Sequence, residues 1–418
     1  MDKTVYSLQN MQSQRFITIH YSVYFFLSLF VLNETIRSTI QSTFTSFNLL
    51  FLIISIACIL FYFIKQRILV GLFYLASFAS MIVMINSIFF LHYDSRQLIL
   101  TITSVLIPLY LVSIQLTKDE ALHTLGKFLF FFNILIIALF CFGLVDYVTN
   151  RYLQLEMAST IFVGKDLSSL IYNENLSNIY RLYSFMGHPL TNAKYFLCFF
   201  ILNFIYSSKK KTLLPPYLII LITAIGLLLS GSKTALFLFL FLLLFVYQTK
   251  YRFLYYIGIV VLLFFLSQSS LFQDNLLQRF TTGIENNDVS SGRNDLIEQL
   301  LKEGKELPNV LFGKGENYSR IVAQSFHDDT QNFEYPLLML SYDYGLVAVG
   351  IIYFLCFLYP AYLLLKKKEY RILCYFLIWS LMINSYNAMA NLGNDTFAQV
   401  CFITLIIQSL VNDGREEI

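Results

Sequence analysis

Four short polar stretches hold most of the side chains in this sequence that could do chemistry. The first, Arg181-Leu182-Tyr183-Ser184-Phe185-Met186-Gly187-His188-Pro189, sets an Arg and a His just ahead of an apolar run whose start Pro189 marks. Its two cationic side chains suit an anion, or equally the anchoring of a loop at a membrane interface. The second, Ser230-Gly231-Ser232-Lys233-Thr234, is a tight turn between two apolar runs. Lys233 there is either a snorkelling side chain or a cation placed to meet an anionic lipid headgroup. The third comprises Arg279, Arg293 within Ser291-Gly292-Arg293-Asn294-Asp295, and Leu311-Phe312-Gly313-Lys314-Gly315. A guanidinium offers phosphate oxygens two parallel donors, although Arg residues among so many carboxylates are as readily explained by ion pairs on a solvated face. The Gly-Lys-Gly turn lacks the spacing of a Walker loop, which excludes that mode of nucleotide binding. The fourth runs from His327-Asp328-Asp329 through Phe333-Glu334-Tyr335-Pro336 to Tyr342-Asp343-Tyr344-Gly345. Adjacent residues such as His327, Asp328 and Asp329 do not all face one ion without an unusual turn, so general-base chemistry by His327 or Glu334 suits the stretch better than a metal.

The elements that must position these groups are set by composition. Hydrophobic residues make up 57% of the 418 and charged residues only 13%, against roughly 25% in a soluble domain, and the mean hydropathy is +0.63. With 42 Phe, 29 Tyr and a net charge of +3, the chain has the surface of a membrane protein and not the basic footprint of a nucleic-acid partner. Apolar runs fall at 16–32, 47–64, 68–91, 97–116, 128–149, 189–206, 213–230, 234–248, 253–268, 342–365, 372–388 and 396–411. Each approaches the length needed to cross about 30 Å of hydrocarbon, so the expectation is an all-α, polytopic integral membrane protein of about 12 transmembrane helices with an uncleaved first span.

Orientation follows from the basic residues. Lys65 and Arg67, Lys209-Lys210-Lys211, Lys250 and Arg252, and Lys366-Lys367-Lys368 with Arg371 fall in alternate connectors, which puts these connectors and both termini in the cytoplasm. The intervening connectors balance Glu34 with Arg37 and Asp94 with Arg96, while Thr117 to Lys127 is neutral and uninformative. Two polar segments, 150–188 and 269–334, then fall outside. They are too long for simple connectors, and Asn294 to Leu301 is compatible with a helix, so a folded external cap on a single 1–418 transmembrane domain is expected. All six cysteines lie within apolar runs, leaving neither a disulfide framework nor a CxxC metal site.

On these stretches the chain resembles the bacterial Wzy-type O-antigen and capsular polysaccharide polymerases, relatives of the O-antigen ligases. Arg181 to Asn192 is similar to that family's Arg followed by an aromatic-Gly-x-Pro-Asn-like element. Ser230-Gly231-Ser232-Lys233-Thr234-Ala235 resembles its Ser-Arg-small motif, with Lys for Arg. Arg293 with Leu311 to Gly315 resembles its Arg and Leu-x-Gly-x-Gly arrangement in a large external loop. His327 through Gly345-Leu346-Val347 resembles its loop end and Tyr-Gly-Leu span. Asp328 stands where ligase-like members usually carry Asn, and Phe333 to Leu337 looks more like the capsule-type polymerases.

The resemblance implies glycosyl transfer from a polyprenyl-pyrophosphate-linked oligosaccharide at the outer face of the bacterial cytoplasmic membrane, with no metal or nucleotide cofactor. Arg181, Lys233, Arg279 and Arg293 would hold the pyrophosphate, with Arg293 the cation best matched to the pattern. His327 is the first choice of base and Glu334 the second. A chain-length regulator and a flippase of the same pathway are the implied protein partners, besides the bilayer itself. The competing readings are an O-antigen ligase-like transferase, a flippase or solute carrier, and a scaffold of a glycan-export complex. A transporter should line its path with charged groups inside the spans, which are nearly charge-free here. Topology offers the first check: a reporter fused after Lys211 or Lys368 should read cytoplasmic and one inserted near Asn287 external, and a cytoplasmic signal at Asn287 would remove the external cap.

Overall fold

In the computed structural model the described residues are 21–411, apart from 41–47, 90–94, 164, 178, 247–251, 270, 278–280, 282–292, 303–306, 326–332 and 392. All regular structure among them is helical, with two isolated β-bridges, Ile68 to Ile114 and Ser184 to Gly187. Three helices are long and apolar enough to cross a membrane: Val70–Phe89, Lys118–Val148 and Leu346–Lys366. Shorter apolar helices include Tyr21–Val31, Leu49–Ile64, Leu98–Leu111, Pro216–Ser230, Lys233–Val246, Tyr370–Asn384 and Thr396–Ser409.

Helix boundaries follow local chemistry. Pro189, Pro216 and Pro336 each occupy a first helical turn, where the missing N–H costs nothing. Gly231, in the left-handed region at φ 63°, ends Pro216–Ser230, and the Ser232 hydroxyl then accepts the Ala235 N–H to cap the next helix. Two proline positions disturb apolar helices in the same way. The segments Ile102–Leu106 and Phe354–Leu358 wind as π-helix just before Pro108 and Pro360, whose rings crowd the carbonyls four residues back at Ser104 and Cys356. The Lys118–Val148 helix starts inside the connector that read as neutral. Thr117 and Glu120 form a reciprocal capping box, with Glu120 N–H on Thr117 Oγ1 at 3.3 Å and Thr117 N–H on Glu120 Oε2 at 2.8 Å. Arg67 then donates to both Glu120 oxygens at 2.8 and 2.9 Å.

By contacts the chain sorts into two compact units, one of Met1–Phe131, Gln299–Leu373 and Tyr386–Ile418, the other of Phe132–Glu298 and Cys374–Ser385. The first has an aromatic core in which Phe402 lies 5.0 Å from Phe25 and 5.5 Å from Phe128, and Phe128 lies 5.1 Å from Phe30. Arg37 donates to Asp395 Oδ2 at 2.7 Å, to the Leu32 carbonyl at 2.8 Å and to the Gly393 carbonyl at 3.3 Å. Asn48 supplies the other Asp395 oxygen with a donor at 2.9 Å. In the second unit, Pro189–Ser207 lies against Pro216–Ser230, so closely that a Cβ at Gly226 would stand 2.5 Å from the Phe196 ring. Asn133 and Asn203 exchange amide hydrogen bonds of 3.2 and 2.8 Å between otherwise apolar helices.

With side chains only 11% and 8% exposed, Arg37 and Asp395 form a buried pair whose single-partner loss is expensive. Asp395→Ala should destabilise the protein by about 3–5 kcal/mol, whereas Arg37→Leu with Asp395→Leu should recover most of that loss. Denaturant titration in mixed micelles measures both.

Candidate functional site

Backbone contacts join parts of the polar stretches to one another within each unit. In the unit that contains Phe132–Glu298, the Leu182 N–H donates to the Leu229 carbonyl at 2.9 Å, joining the Arg181 stretch to the Ser230-Lys233 turn. The segment 150–188 folds as two helices, Tyr152–Thr160 and Asp166–Leu176, over a small core of Ala158, Phe162, Ile171 and Tyr183. Arg181 donates to Glu174 Oε1 at 2.9 Å. Its Nε and the other Glu174 oxygen are buried without a hydrogen-bond partner, leaving one donor and one acceptor that a ligand or water could satisfy.

A second polar network backs this one. Asp146, wholly buried near the end of Lys118–Val148, accepts the Gln154 N–H at 2.9 Å, the Gln154 side-chain amide and the Tyr180 hydroxyl at 2.9 Å. Burial, reinforced by the Asp146 charge, pushes the Tyr180 phenol far above its ordinary pKa. Gln154 in turn accepts the Tyr183 N–H at 3.1 Å, and Ser184 donates to Asn192 at 2.9 Å. His188 caps the Pro189–Ser207 helix through Nδ1, which accepts the Leu190 N–H at 3.2 Å, and its ring meets Tyr183 edge-on at 5.8 Å. Burial, and then the neighbouring Arg181 charge, pushes the His188 pKa down to about 3. His188 is therefore a neutral acceptor at physiological pH and not a cation for an anionic ligand.

In the other unit the Leu311–Gly315 part of the third stretch meets the end of the fourth. The helical path breaks at Gly345, φ 85°, between Pro336–Tyr344 and Leu346–Tyr353. Segment 309–315 docks across the break: Lys314 N–H donates to the Tyr342 carbonyl, Gly315 N–H to Asp343, Leu346 N–H to Asn309 and Val347 N–H to Val310, all at 3.0 Å. A Cβ on Gly313 would stand 2.1 Å from the Asp343 carbonyl oxygen, and one on Gly345 would stand 2.8 Å from that of Leu311. Below the dock, the buried Asp343 carboxylate accepts the Ser319 N–H at 2.8 Å and is met by the N–H groups of Asn317 and Tyr318. Thr101 donates to the buried Glu316 carboxylate at 2.7 Å. Phe333 stacks on Tyr342 with centroids 5.6 Å apart, and Glu334 follows in the left-handed region at φ 54°, a conformation that non-glycine residues adopt at some energetic cost.

Of the residues singled out from sequence, Arg181 is an ion-paired side chain, Lys233 the half-buried first residue of Lys233–Phe241, and Glu334 a half-buried residue beside the aromatic stack. Arg293 opens the helix Arg293–Lys302. Its side chain, and both Arg279 and His327, lie outside the described residues. Sequence reasoning passed over Lys194, fully buried in Pro189–Ser207 with its ammonium 4.6 Å from the Tyr195 ring centroid. It also passed over Asp146 and Glu316, and gave Asp343 no role beyond its place in the fourth stretch. For Lys194, Asp146 and Asp343 the one signal was charge within or beside an apolar run, which calls for a partner wherever it occurs. Among the described residues no three His, Cys, Asp or Glu side chains gather as a metal site. No family model, curated protein or solved structure matches the chain.

The dock makes a direct prediction. Gly313→Ala should force the 309–315 segment off the break at a cost on the order of 1–3 kcal/mol, while Gly350→Ala, whose Cβ would meet nothing within 4 Å, should be near neutral. Parallel denaturant titrations of the two variants check it.

Proposed function

We propose that this chain is a multi-pass protein of the bacterial cytoplasmic membrane that polymerises polyprenyl-pyrophosphate-linked oligosaccharide repeat units at the outer face. The observation that carries the reading is that parts of these stretches are joined within each unit. Segments well separated in sequence that the Wzy-type resemblance groups as functional are tied by backbone hydrogen bonds, Leu182 to Leu229 in one unit and 309–315 to 342–347 in the other. An apolar all-helical chain with its anion-binding and acid-base groups gathered on short polar segments also suits a lipid-linked substrate.

In this reading a hydroxyl of an incoming lipid-linked unit attacks the anomeric carbon of the growing chain. The bond from that carbon to the pyrophosphate oxygen breaks, its electron pair stays with the lipid pyrophosphate, and the configuration inverts. The hydroxyl proton goes to His327 or Glu334. Arg181, Lys233, Arg279 and Arg293 offset the charge that develops on pyrophosphate, and fixed donors in a partly desolvated site make the largest contribution to such a step. The about twelve spans, cytoplasmic termini and external cap of 150–188 and 269–334 belong to the same proposal.

One observation favours the transport alternative. Lys194 is a cation wholly buried within an apolar helix, and intramembrane charge is the usual mark of a translocation path. A single assay separates the two readings. Purified protein in nanodiscs, given synthetic lipid-pyrophosphate-linked repeat units and neither ion gradient, nucleotide nor divalent metal, should make polymer. Arg293→Ala should insert normally and slow polymerisation roughly a hundredfold. Lipid movement across the bilayer without polymer from any compatible repeat unit would overturn the polymerase reading.

A further inference from the structure

The Gly313-Lys314-Gly315 turn is not a phosphate loop by spacing, yet the structure gives its lysine an unusual setting. The backbone on either side is fixed by the dock at Tyr342 and Asp343, with no room for a side chain at Gly313. Lys314 itself is exposed. Its ammonium donates to the Tyr318 hydroxyl at 3.0 Å and sits at that end of the ring, 4.8 Å from the centroid, so Tyr318 holds the charge by its oxygen. Tyr318 packs on Tyr342 at 6.3 Å, and Tyr342 stacks on Phe333, the residue before Glu334.

Charge along this segment is sorted by direction. Glu316 and Asp343 are buried and bonded inward, to Thr101 and to the N–H groups of residues 317–319. Lys314 and Arg320 are exposed. Of the charged residues in 314–320 the two that face outward are thus both basic, and the one acid faces inward. Ordinarily a surface lysine loses substantial rotamer entropy when it engages an anion. Lys314 has surrendered part of that freedom already, because both its backbone and its ammonium are held.

We propose that Lys314 is a diphosphate-binding residue, fixed by the docked turn and by Tyr318, one aromatic stack away from Glu334. The choice of diphosphate among anions rests on the glycosyl-transfer reading above. In that reaction Lys314 meets the oxygen that keeps the electron pair of the broken anomeric bond, and Glu334, next in sequence to the last ring of the stack, is the carboxylate assigned to the acceptor's proton. Tyr318 is a positioning residue that acts through Lys314.

The test uses the full chain in phosphatidylcholine nanodiscs and measures competition of inorganic pyrophosphate and of farnesyl diphosphate against labelled farnesyl diphosphate. Lys314→Gln should weaken both probes by about tenfold or more, Lys314→Arg should bind within about threefold of wild type, and Tyr318→Phe should fall between them. Lys211→Gln, a control on a different basic cluster, should bind as wild type does. Nanodiscs containing phosphatidylglycerol distinguish the source of the phosphate, since a lipid-headgroup site would lose its Lys314-dependent signal to that lipid. Such a loss, equal affinity in wild type and Lys314→Gln, or absence of saturable binding by wild type would each overturn the proposal. Lys314-dependent diphosphate binding by a protein that makes no polymer would leave the site standing and remove the polymerase reading instead.

Discussion

A peptide group freed from a helix in an apolar surrounding must find another partner, and this constraint organises the best-defined polar region of the chain. The break at Gly345 frees the Tyr342 and Asp343 carbonyls and the Leu346 and Val347 N–H groups, whose partners segment 309–315 supplies, while Asn86 donates to the Tyr344 carbonyl. Because Asp343 and Leu311 approach as backbone, only glycine fits at positions 313 and 345. The dock in turn sets the direction of Lys314, the inward turn of Glu316 and Asp343, and the stacking of Phe333 on Tyr342 ahead of Glu334. A pair of glycines that reads in sequence as a ligand loop is thus first a device for satisfying a broken helix.

The other unit meets the same constraint with side chains. Asp146 receives a main-chain N–H, an amide and a phenol, so a carboxylate at the end of a long apolar helix becomes the hub that fixes 150–154 against 180. His188 and Ser232 each cap a helix that succeeds a turn. Polar residues here stabilise as members of filled networks, and removing one of them leaves buried partners unsatisfied.

The helical class was legible because apolar runs bounded by Pro, Gly and basic clusters leave few alternatives, and the helix at Arg293–Lys302 was visible in its own periodicity. Boundaries were less so. Thr117 to Glu120 carries a capping-box pattern that charge cancellation obscured, and Gly345 splits what hydropathy reads as one span from residue 342. In the candidate site, Arg181, Lys233 and Glu334 stood out by type and position. Glu316 did not, and Asp343 stood out only as a member of its stretch, because nothing local distinguishes an inward-facing carboxylate from a solvated one. That distinction rests on Thr101 and Ser319, and the Thr101 contact is made between residues far apart in the chain.

The pairing of Arg37 with Asp395 has a meaning in time as well as in space. The two are separated by 358 positions, and at ordinary translation speeds of about 5–20 residues per second the guanidinium emerges some 20–70 s before its carboxylate. Throughout that interval the early helices hold a cation that the finished molecule buries, and a nascent chain ending before Thr396–Ser409 lacks the helix that Asp395 introduces. Completion of the first unit is thereby deferred until the segment around Asp395 has been made, and any shorter chain keeps a guanidinium without the carboxylate that the folded unit sets against it.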